Sequence, residues 1–372
     1  MVPITHDPAY RDLVARWHAF WNLEELERPL WLVFAGPMSA PKVLDVPLQS
    51  FLRDREVQLR GELDLLAWRE RVAIPDDFVP HLQPCQGTSV FASAFGCEVE
   101  FFDHTNPWAH PVIGSDDPPE KVYELPVPEV TAGQLGDMLA FTDHFVQQTD
   151  GHYPIALTDL QGPLDTAYLV WDPCSFMTAM YTNPKEVHHL MRLVTDLIIA
   201  FVKEQRARSP EFVPCHFPPL YLPDGQGLAI SEDVLAVIGA DLYREFALPY
   251  NNELSEEFGG LFVHSCGSFL HQFDNLERIH GLRGLNFGAT ENPFQPTWER
   301  FGGRIALVPH LGLNKDIHFD TALEFAEHVL HHKTTNRGLC LLVSPDDLQT
   351  LHDPVALGRF VDDLKGLIRK HS

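Results

Sequence analysis

The chain has 372 residues, of which 45% are hydrophobic and 21% charged, so it can build a large buried core. Its 27 Lys and Arg residues face 52 Asp and Glu residues, a formal net charge of −25 that excludes nucleic acid and anionic membrane surfaces as natural partners, because both require a basic footprint. The N-terminus has no apolar signal segment and no run of about 20 apolar residues occurs, so we expect a cytoplasmic protein without a membrane segment.

The N-terminal third predicts helices around one buried strand. Residues 17–21 indicate a helical lead-in, and Pro29–Phe34 is a short apolar run typical of a first core strand. A long helix is predicted from Leu48 to Arg71, followed by a short strand at Phe78–Pro80. Residues 97–102 alternate between apolar and polar, which predicts a β excursion after the second strand.

The middle of the chain predicts a strand that delivers an acid, followed by a strong helix start. Tyr153–Leu157 is an apolar strand with Asp159 directly beyond it. Asn183 then precedes Pro184 and Glu186, a pattern typical of a capped helix N-terminus. Later helices are predicted at Ala322–His331 and near the C-terminus.

About eight short core strands alternate with helices, which predicts a parallel sheet. No linker rich in Gly, Pro or Ser divides them, and no G-x-G-x-x-G follows the first strand. We therefore predict an α/β protein, a single (β/α)8 TIM barrel at residues 29–372 preceded by an N-terminal helical extension at residues 1–28. The predicted strands are 30–34, 78–80, 154–157, 212–214, 228–230, 261–263, 285–287 together with 305–308, and 339–343.

His264 and Cys266 form the most informative motif. The apolar run Leu261–Val263 places both residues at the tip of a buried strand, where side chains at i and i+2 point to the same face. An imidazole and a thiolate then converge as two parts of a zinc site. The alternative is a buried Cys beside a His that bonds only the backbone.

Active sites of such barrels lie at the carboxyl ends of the strands. Asp159, Glu232 and His310 follow predicted strands, so we predict them as catalytic residues. Acids in these positions also commonly cap the next helix, which is the structural alternative for each.

The chain resembles the uroporphyrinogen decarboxylase superfamily, and within it the branch of cobalamin-linked methyltransferases of the methylcobalamin:coenzyme M type. The resemblance covers the chain from about Trp31 to the C-terminus. The segments that carry it are 87–100 with 107–108, 159–165, 183–188, and 243–250 leading into 264–267.

The resemblance implies a (β/α)8 barrel and a zinc ion. In the methyltransferase branch a His-x-Cys pair and a later Cys bind zinc, which activates a thiol for methyl transfer from or to a corrinoid. His264 and Cys266 match the pair. The implied cofactors are Zn²⁺ and a corrinoid (methylcobalamin), the latter as substrate or on a partner protein; the implied partners are a small-molecule methyl acceptor or donor and a corrinoid protein.

Cys340 is the only later cysteine, and it matches poorly. It stands near the start of its predicted strand, roughly 13 Å from the open end at about 3.3 Å per residue. We therefore favour Glu232, His216 or His310 over Cys340 as the third metal ligand.

Two other functions remain open from the sequence. The first is decarboxylation of a tetrapyrrole of the uroporphyrinogen type, which the chain matches less well. Uroporphyrinogen decarboxylases carry an Arg-containing motif at the end of the first strand, whereas this chain has Phe34-Ala-Gly-Pro37 there. The other alternative is a barrel that binds a corrinoid or tetrapyrrole without catalysis, which the missing third Cys would explain.

Overall fold

Short strands, ten of them in the described part of the chain, form the framework of the protein. The computed structural model describes residues 4–34, 46–311 and 318–372. In these ranges the strands are β1 (Leu30–Val33), β2 (Glu98–Glu100), β3 (Trp108–His110), β4 (Ile155–Ala156), β5 (Phe212–Val213), β6 (Leu228–Ser231), β7 (Leu261–Ser265), β8 (Leu282–Gly288), β9 (Ala306–His310) and β10 (Cys340–Val343).

Six strands form one parallel sheet in the order β1-β10-β9-β8-β7-β6. Its register sets Ser231 of β6 beside His264 of β7, which in turn lies beside Asn286 of β8. The next neighbour is Val308 of β9. Because parallel strands end at the same edge, the polar residues that follow these strands meet at one side of the sheet.

Strands β4 and β5 form a separate parallel pair, and isolated bridges link this pair and its flanking residues to the neighbouring segments. Ala156 donates its N–H to the carbonyl of Leu82, and Ala229 of β6 donates to the carbonyl of Pro214, just beyond β5. Within the described ranges the ladder is therefore not continuous around a closed barrel. The predicted α/β fold with a central parallel sheet is confirmed.

Two details of the predicted strand count are wrong. Phe78–Pro80 forms no strand; the pairing with β4 is an isolated bridge from Leu82 to Ile155, consistent with the missing N–H of the proline. The two runs 285–287 and 305–308, counted together as one strand, are the separate strands β8 and β9. A helix at Phe294–Phe301 lies between them in the chain.

The helices surround the sheet and mostly follow individual strands. Those of the first half are α1 (Pro8–Trp21), α2 (Leu48–Arg53), α3 (Arg55–Val72), α4 (Val90–Ser93), α5 (Gln134–Gln148), α6 (Pro163–Val170), α7 (Pro173–Thr182) and α8 (Pro184–Arg208). Those of the second half are α9 (Ala240–Phe246), α10 (Leu248–Phe258), α11 (Phe273–Leu276), α12 (Phe294–Phe301), α13 (Ala322–His332), α14 (Leu348–His352) and α15 (Pro354–Lys370). Short 3₁₀ turns lie at Ile4–His6, Pro119–Glu124, Val234–Ala236 and Leu270–Gln272.

Two predicted helix starts differ in detail from the structure. The helix predicted from Leu48 to Arg71 is divided at Asp54, whose side chain accepts hydrogen bonds from the backbone N–H groups of Glu56 and Val57 and so begins a new helix. Helix α8 begins at Pro184 as predicted, but the Asn183 side chain makes no capping hydrogen bond.

The lead-in helix and the β excursion are both confirmed. In α1, the rings of Trp21 and Phe262 of β7 make an edge contact at 5.5 Å, so the helix packs against the central sheet. Strands β2 and β3 form an antiparallel hairpin between α4 and α5. The division into residues 1–28 and 29–372 stays a prediction.

Across the described ranges, every helix is too short or too polar to cross a membrane.

A buried acid, Asp77, ties the N-terminal segment to the sheet. Its carboxylate forms ion pairs with Arg28 at 2.7 Å and with Arg16 at 2.9 Å. The same carboxylate accepts a hydrogen bond from the backbone N–H of Trp31 in β1 at 3.0 Å. Its backbone carbonyl accepts the indole N–H of Trp17 at 2.7 Å. The acid therefore satisfies a buried donor of the first core strand.

We predict that Asp77→Ala lowers the free energy of unfolding by about 2–4 kcal/mol, because a buried N–H loses its acceptor and two guanidinium groups lose their partner. Urea unfolding monitored by circular dichroism measures the change. Asp64→Ala, on an exposed position of α3, is the control, with an expected change below about 0.5 kcal/mol. Equal effects of the two substitutions would contradict the assigned role.

Candidate metal centre

The pair His264 and Cys266 lies at the carboxyl end of β7. His264 is the fourth residue of the strand and Cys266 follows its last residue. The imidazole Nε2 of His264 and the Sγ of Cys266 are 3.2 Å apart. Strand alternation therefore brings the two side chains together, as the sequence indicates.

The buried amide of Asn286 fixes the tautomer of His264. Asn286 Nδ2 donates to the carbonyl oxygen of Val308 at 2.6 Å, so Oδ1 must face His264. Asn286 Oδ1 accepts a hydrogen bond of 2.6 Å from His264 Nδ1. With the proton on Nδ1, the lone pair of His264 Nε2 points toward Cys266 and is available to a metal.

The same amide determines the tautomer of His310. Asn286 Nδ2 also lies 3.2 Å from His310 Nδ1, and since both are nitrogens, the amide hydrogen is donated and His310 Nδ1 accepts. His310 therefore carries its proton on Nε2. Burial lowers the pKa of His310 to about 3, so the ring is a neutral hydrogen-bond donor.

Asp233 brings a carboxylate to the pair. Its Oδ1 accepts the backbone N–H of Cys266 at 2.6 Å, and one ligand atom from each of Asp233, His264 and Cys266 lies within 4.8 Å of the others. Asp165, which is buried, holds this residue in place by accepting the backbone N–H groups of Asp233 at 2.6 Å and Val234 at 3.0 Å.

The three donors fit a zinc ion. One imidazole nitrogen, one thiolate sulfur and one carboxylate oxygen are ligands that Zn²⁺ accepts, and three protein ligands leave a position for substrate. Burial lowers the pKa of His264, which keeps it in the neutral form that ligates metals. Burial and the Asp233 charge raise the pKa of Cys266 to about 12, so a cation is needed to hold its thiolate at neutral pH.

Glu232, a predicted catalytic residue and third ligand, points away from the pair. Its carboxylate accepts hydrogen bonds from Tyr243 at 2.7 Å and from Asn251 at 2.9 Å, and the side chain is fully buried. Burial raises its pKa to about 7. Neighbouring residues at a strand end face opposite ways, so the structure groups Asp233, not Glu232, with His264 and Cys266.

His216 and His310, the other two residues favoured as third ligand, lie close to His264. Neither belongs to the group of ligand atoms from Asp233, His264 and Cys266. His216 Nε2 lies 2.9 Å from Ser231 Oγ, its Nδ1 has no partner in the described chain, and burial lowers its pKa to about 3. The rings of His310 and His264 are 6.2 Å apart between centroids.

Cys340 lies at the opposite end of the sheet. It is the first residue of β10, it pairs with Leu30 at the start of β1, and it is completely buried. Burial raises the pKa of its thiol, and the charges of Asp77 and Asp76 raise it further. Asp77 accepts the backbone N–H of Trp31, near the beginning of β1, which agrees with the position of Cys340 at the amino end of β10.

Asp159 lies beyond β4 at the edge that carries the candidate site. Its Oδ1 accepts a hydrogen bond of 2.8 Å from Gln161, and the backbone of Gln161 bridges to Ser231 of β6. Burial and the nearby Asp233 charge raise the pKa of Asp159 to about 6. The acid is thus close enough to Asp233 for the two charges to interact.

Sequence reasoning missed Asn286 and gave Asp233 no role. Asp233 was visible as the second acid of Ser231-Glu232-Asp233, and the alternation of side chains could have placed it on the face of Ser231. Asn286 lies inside the apolar run Leu285–Phe287. A polar side chain within a predicted buried strand was the one sequence signal that could have pointed to it.

Known proteins resemble this chain in sequence and in fold. A family model described as uroporphyrinogen decarboxylase (URO-D) matches residues 86–215. Uroporphyrinogen decarboxylases of Xanthomonas campestris pv. campestris strains B100 and 8004 are each 23% identical over 234 residues. The match covers 59% of this chain and 59% of the length of each relative.

A solved methyltransferase from Methanosarcina mazei has a similar structure, with a TM-score of 0.69 and 15% identity over 95% of this chain and 99% of that chain. At this identity the likeness establishes the fold. Together the comparisons confirm the predicted resemblance to the uroporphyrinogen decarboxylase superfamily, whose members are enzymes.

The raised pKa of the buried Glu232 carboxyl leads to a prediction for how the stability of the protein depends on pH. Its pKa of about 7 lies above the ordinary 4.5, so between these values the folded protein keeps a proton that the unfolded chain has lost. The contribution of Glu232 to stability is therefore full at low pH and falls as the pH rises through about 7.

Glu232→Gln removes this titration. We expect the free energy of unfolding of the variant, relative to the unsubstituted protein, to rise by about 2–3 kcal/mol between pH 5 and pH 8. Urea unfolding at both pH values measures it, with Glu299→Gln at an exposed position as the control. A relative stability that is the same at both pH values would show that Glu232 ionises normally.

Proposed function

We propose that this protein is a zinc-dependent methyltransferase that moves a methyl group between a corrinoid and a thiol or similar acceptor. The observation that carries the proposal is the convergence of His264, Cys266 and Asp233 at the carboxyl edge of a parallel sheet. The family likeness and the fold of the Methanosarcina mazei methyltransferase support the same class of reaction.

His264, Cys266 and Asp233 would hold the zinc ion. When bound, zinc supplies a positive charge that lowers the pKa of a thiol and so favours the nucleophilic thiolate. Asn286 keeps the lone pair of His264 Nε2 directed toward the site. Asp165 keeps Asp233 beside Cys266 through two backbone hydrogen bonds.

The transfer balances without a further reactant. The thiolate sulfur attacks the methyl carbon, a C–S bond forms, and the Co–C bond breaks with both electrons remaining on cobalt. The thiol proton leaves to water. The products are a methyl thioether, the demethylated corrinoid and one proton, and the reverse direction demethylates a thioether by the same steps.

Decarboxylation of a tetrapyrrole is the second candidate, because the matching family model and the Xanthomonas relatives carry that name. A substrate with many carboxylates needs guanidinium partners. The sequence has no Arg between Arg28, which binds Asp77, and Arg53. Release of CO₂ from uroporphyrinogen by the purified protein would support this candidate over methyl transfer.

We predict that the purified protein binds about one equivalent of zinc and that Cys266→Ser and His264→Ala each lose most of it. Elemental analysis measures the content, and Cys174→Ser, at an exposed cysteine of α7, is the matched control that keeps its zinc. The same samples are mixed with methylcobalamin and a set of thiols while the methyl–cobalt absorption is followed. Absence of zinc from the unsubstituted protein would refute the metal assignment, whereas zinc without methyl transfer would favour a binding barrel.

We also predict that Asn286→Leu weakens zinc binding by roughly 10–100-fold, because His264 loses the partner that orients its ring. Competition with a coloured chelator measures the affinity. Asn275→Leu removes an equally buried amide that bonds Ala240 and Gln272 instead, and it should leave the zinc affinity unchanged. Equal losses in both variants would indicate a general effect on folding.

A further inference from the structure

The edge that carries the candidate metal centre has a concentration of carboxylates. Asp165 and Asp233 are joined through the backbone of Asp233, and Asp159 lies two residues before Gln161, which bridges to Ser231. The bridge from Gln161 brings Asp159 to the end of β6, where Ser231 lies two residues before Asp233. These acids therefore share one electrostatic environment.

No positive side chain offsets these acids in the part of the chain that the structure describes. None of Asp159, Asp165 and Asp233 has a Lys or Arg within ion-pair distance there. The nearby rings of His216 and His310 have neutral partners, the hydroxyl of Ser231 and the amide of Asn286. Residues 35–45 and 312–317 each contain one Lys and one Asp, so by sequence they add no net charge.

A zinc ion would balance only part of this charge. Its two positive charges offset the Cys266 thiolate and the Asp233 carboxylate. Asp165 is stabilised by two backbone N–H donors. Asp159, a half-buried residue, accepts one side-chain hydrogen bond within the described chain, from Gln161. Among the residues that the structure describes, the buried Nδ1 of His216 has no partner.

We propose that the substrate of this site is a small molecule with a positively charged end, such as an ammonium group, which pairs with Asp159 while its thiol or methylthio end reaches His264 and Cys266. This rests on the proposed function and names its substrate class. An anionic end, such as a sulfonate or carboxylate, would meet the uncompensated carboxylates and be disfavoured.

Three thiols of equal length test the charge preference: cysteamine, 2-mercaptoethanol and 2-mercaptoethanesulfonate. They are titrated into the zinc-loaded protein at low ionic strength by calorimetry. Cysteamine should bind at least about tenfold more tightly than the sulfonate, with the neutral thiol between them, and added salt should narrow the difference. Asp159→Asn should weaken cysteamine by about tenfold and leave 2-mercaptoethanol within about twofold.

Asp137→Asn, an equal charge change at an exposed position of α5, is the control and should change none of the three affinities. Binding of the sulfonate as tightly as cysteamine would overturn the inference and leave the proposed thiol chemistry intact. An equal effect of Asp159→Asn on all three thiols would overturn it as well.

If no thiol binds, the thiol acceptor of the proposed function fails, and ethanolamine and isethionate decide the charge preference separately. Ethanolamine binding that Asp159→Asn weakens would support the cationic substrate without a thiol. Isethionate binding, or binding of neither, would contradict it.

Discussion

One buried amide organises the candidate site. Asn286 lies between His264 and Val308 because β7, β8 and β9 are in parallel register, and it donates to the Val308 carbonyl while accepting from His264. A carbonyl oxygen can only accept, so the orientation of the amide leaves no alternative. The lone pair that could hold a metal is thus set by a backbone atom two strands away.

Acidic residues are also concentrated at the edge of the sheet that carries the candidate site. Buried carboxylates such as Glu232 remain protonated to a higher pH than usual, and buried histidines such as His216 remain neutral. Both shifts have the same cause, since burial disfavours the charged form of either group. Both groups are therefore neutral over a wider pH range than in water, and neither supplies a positive charge to the edge at neutral pH.

The family model and the candidate site cover different parts of the chain. The family match ends at residue 215, whereas Asp233, His264 and Cys266 lie beyond it. The matched region supplies Asp159, Asp165 and the helices α4 to α8. The family model therefore does not include the candidate ligands, and their grouping rests on the geometry of the later strands.

The sequence by itself determined the elements whose signals are local. Apolar periodicity predicted the strands around Leu30–Val33 and Leu261–Ser265, and the alternation of a strand placed His264 and Cys266 on one face. The sequence did not predict the pairing of β1 with β10. It also counted β8 and β9 as one strand and missed the break at Asp54. The first two depend on register between distant segments, and the last on a single capping side chain.

Only the tertiary structure decided which acid and which amide join the pair. Glu232 and Asp233 are adjacent and chemically alike, but one faces Tyr243 and Asn251 while the other accepts the N–H of Cys266. Asn286 is 22 residues from His264 in the chain and meets it only through the pairing of β7 with β8. The physical reason is that strand alternation is local, whereas the register that brings two strands' side chains together is set by the packing of the whole sheet.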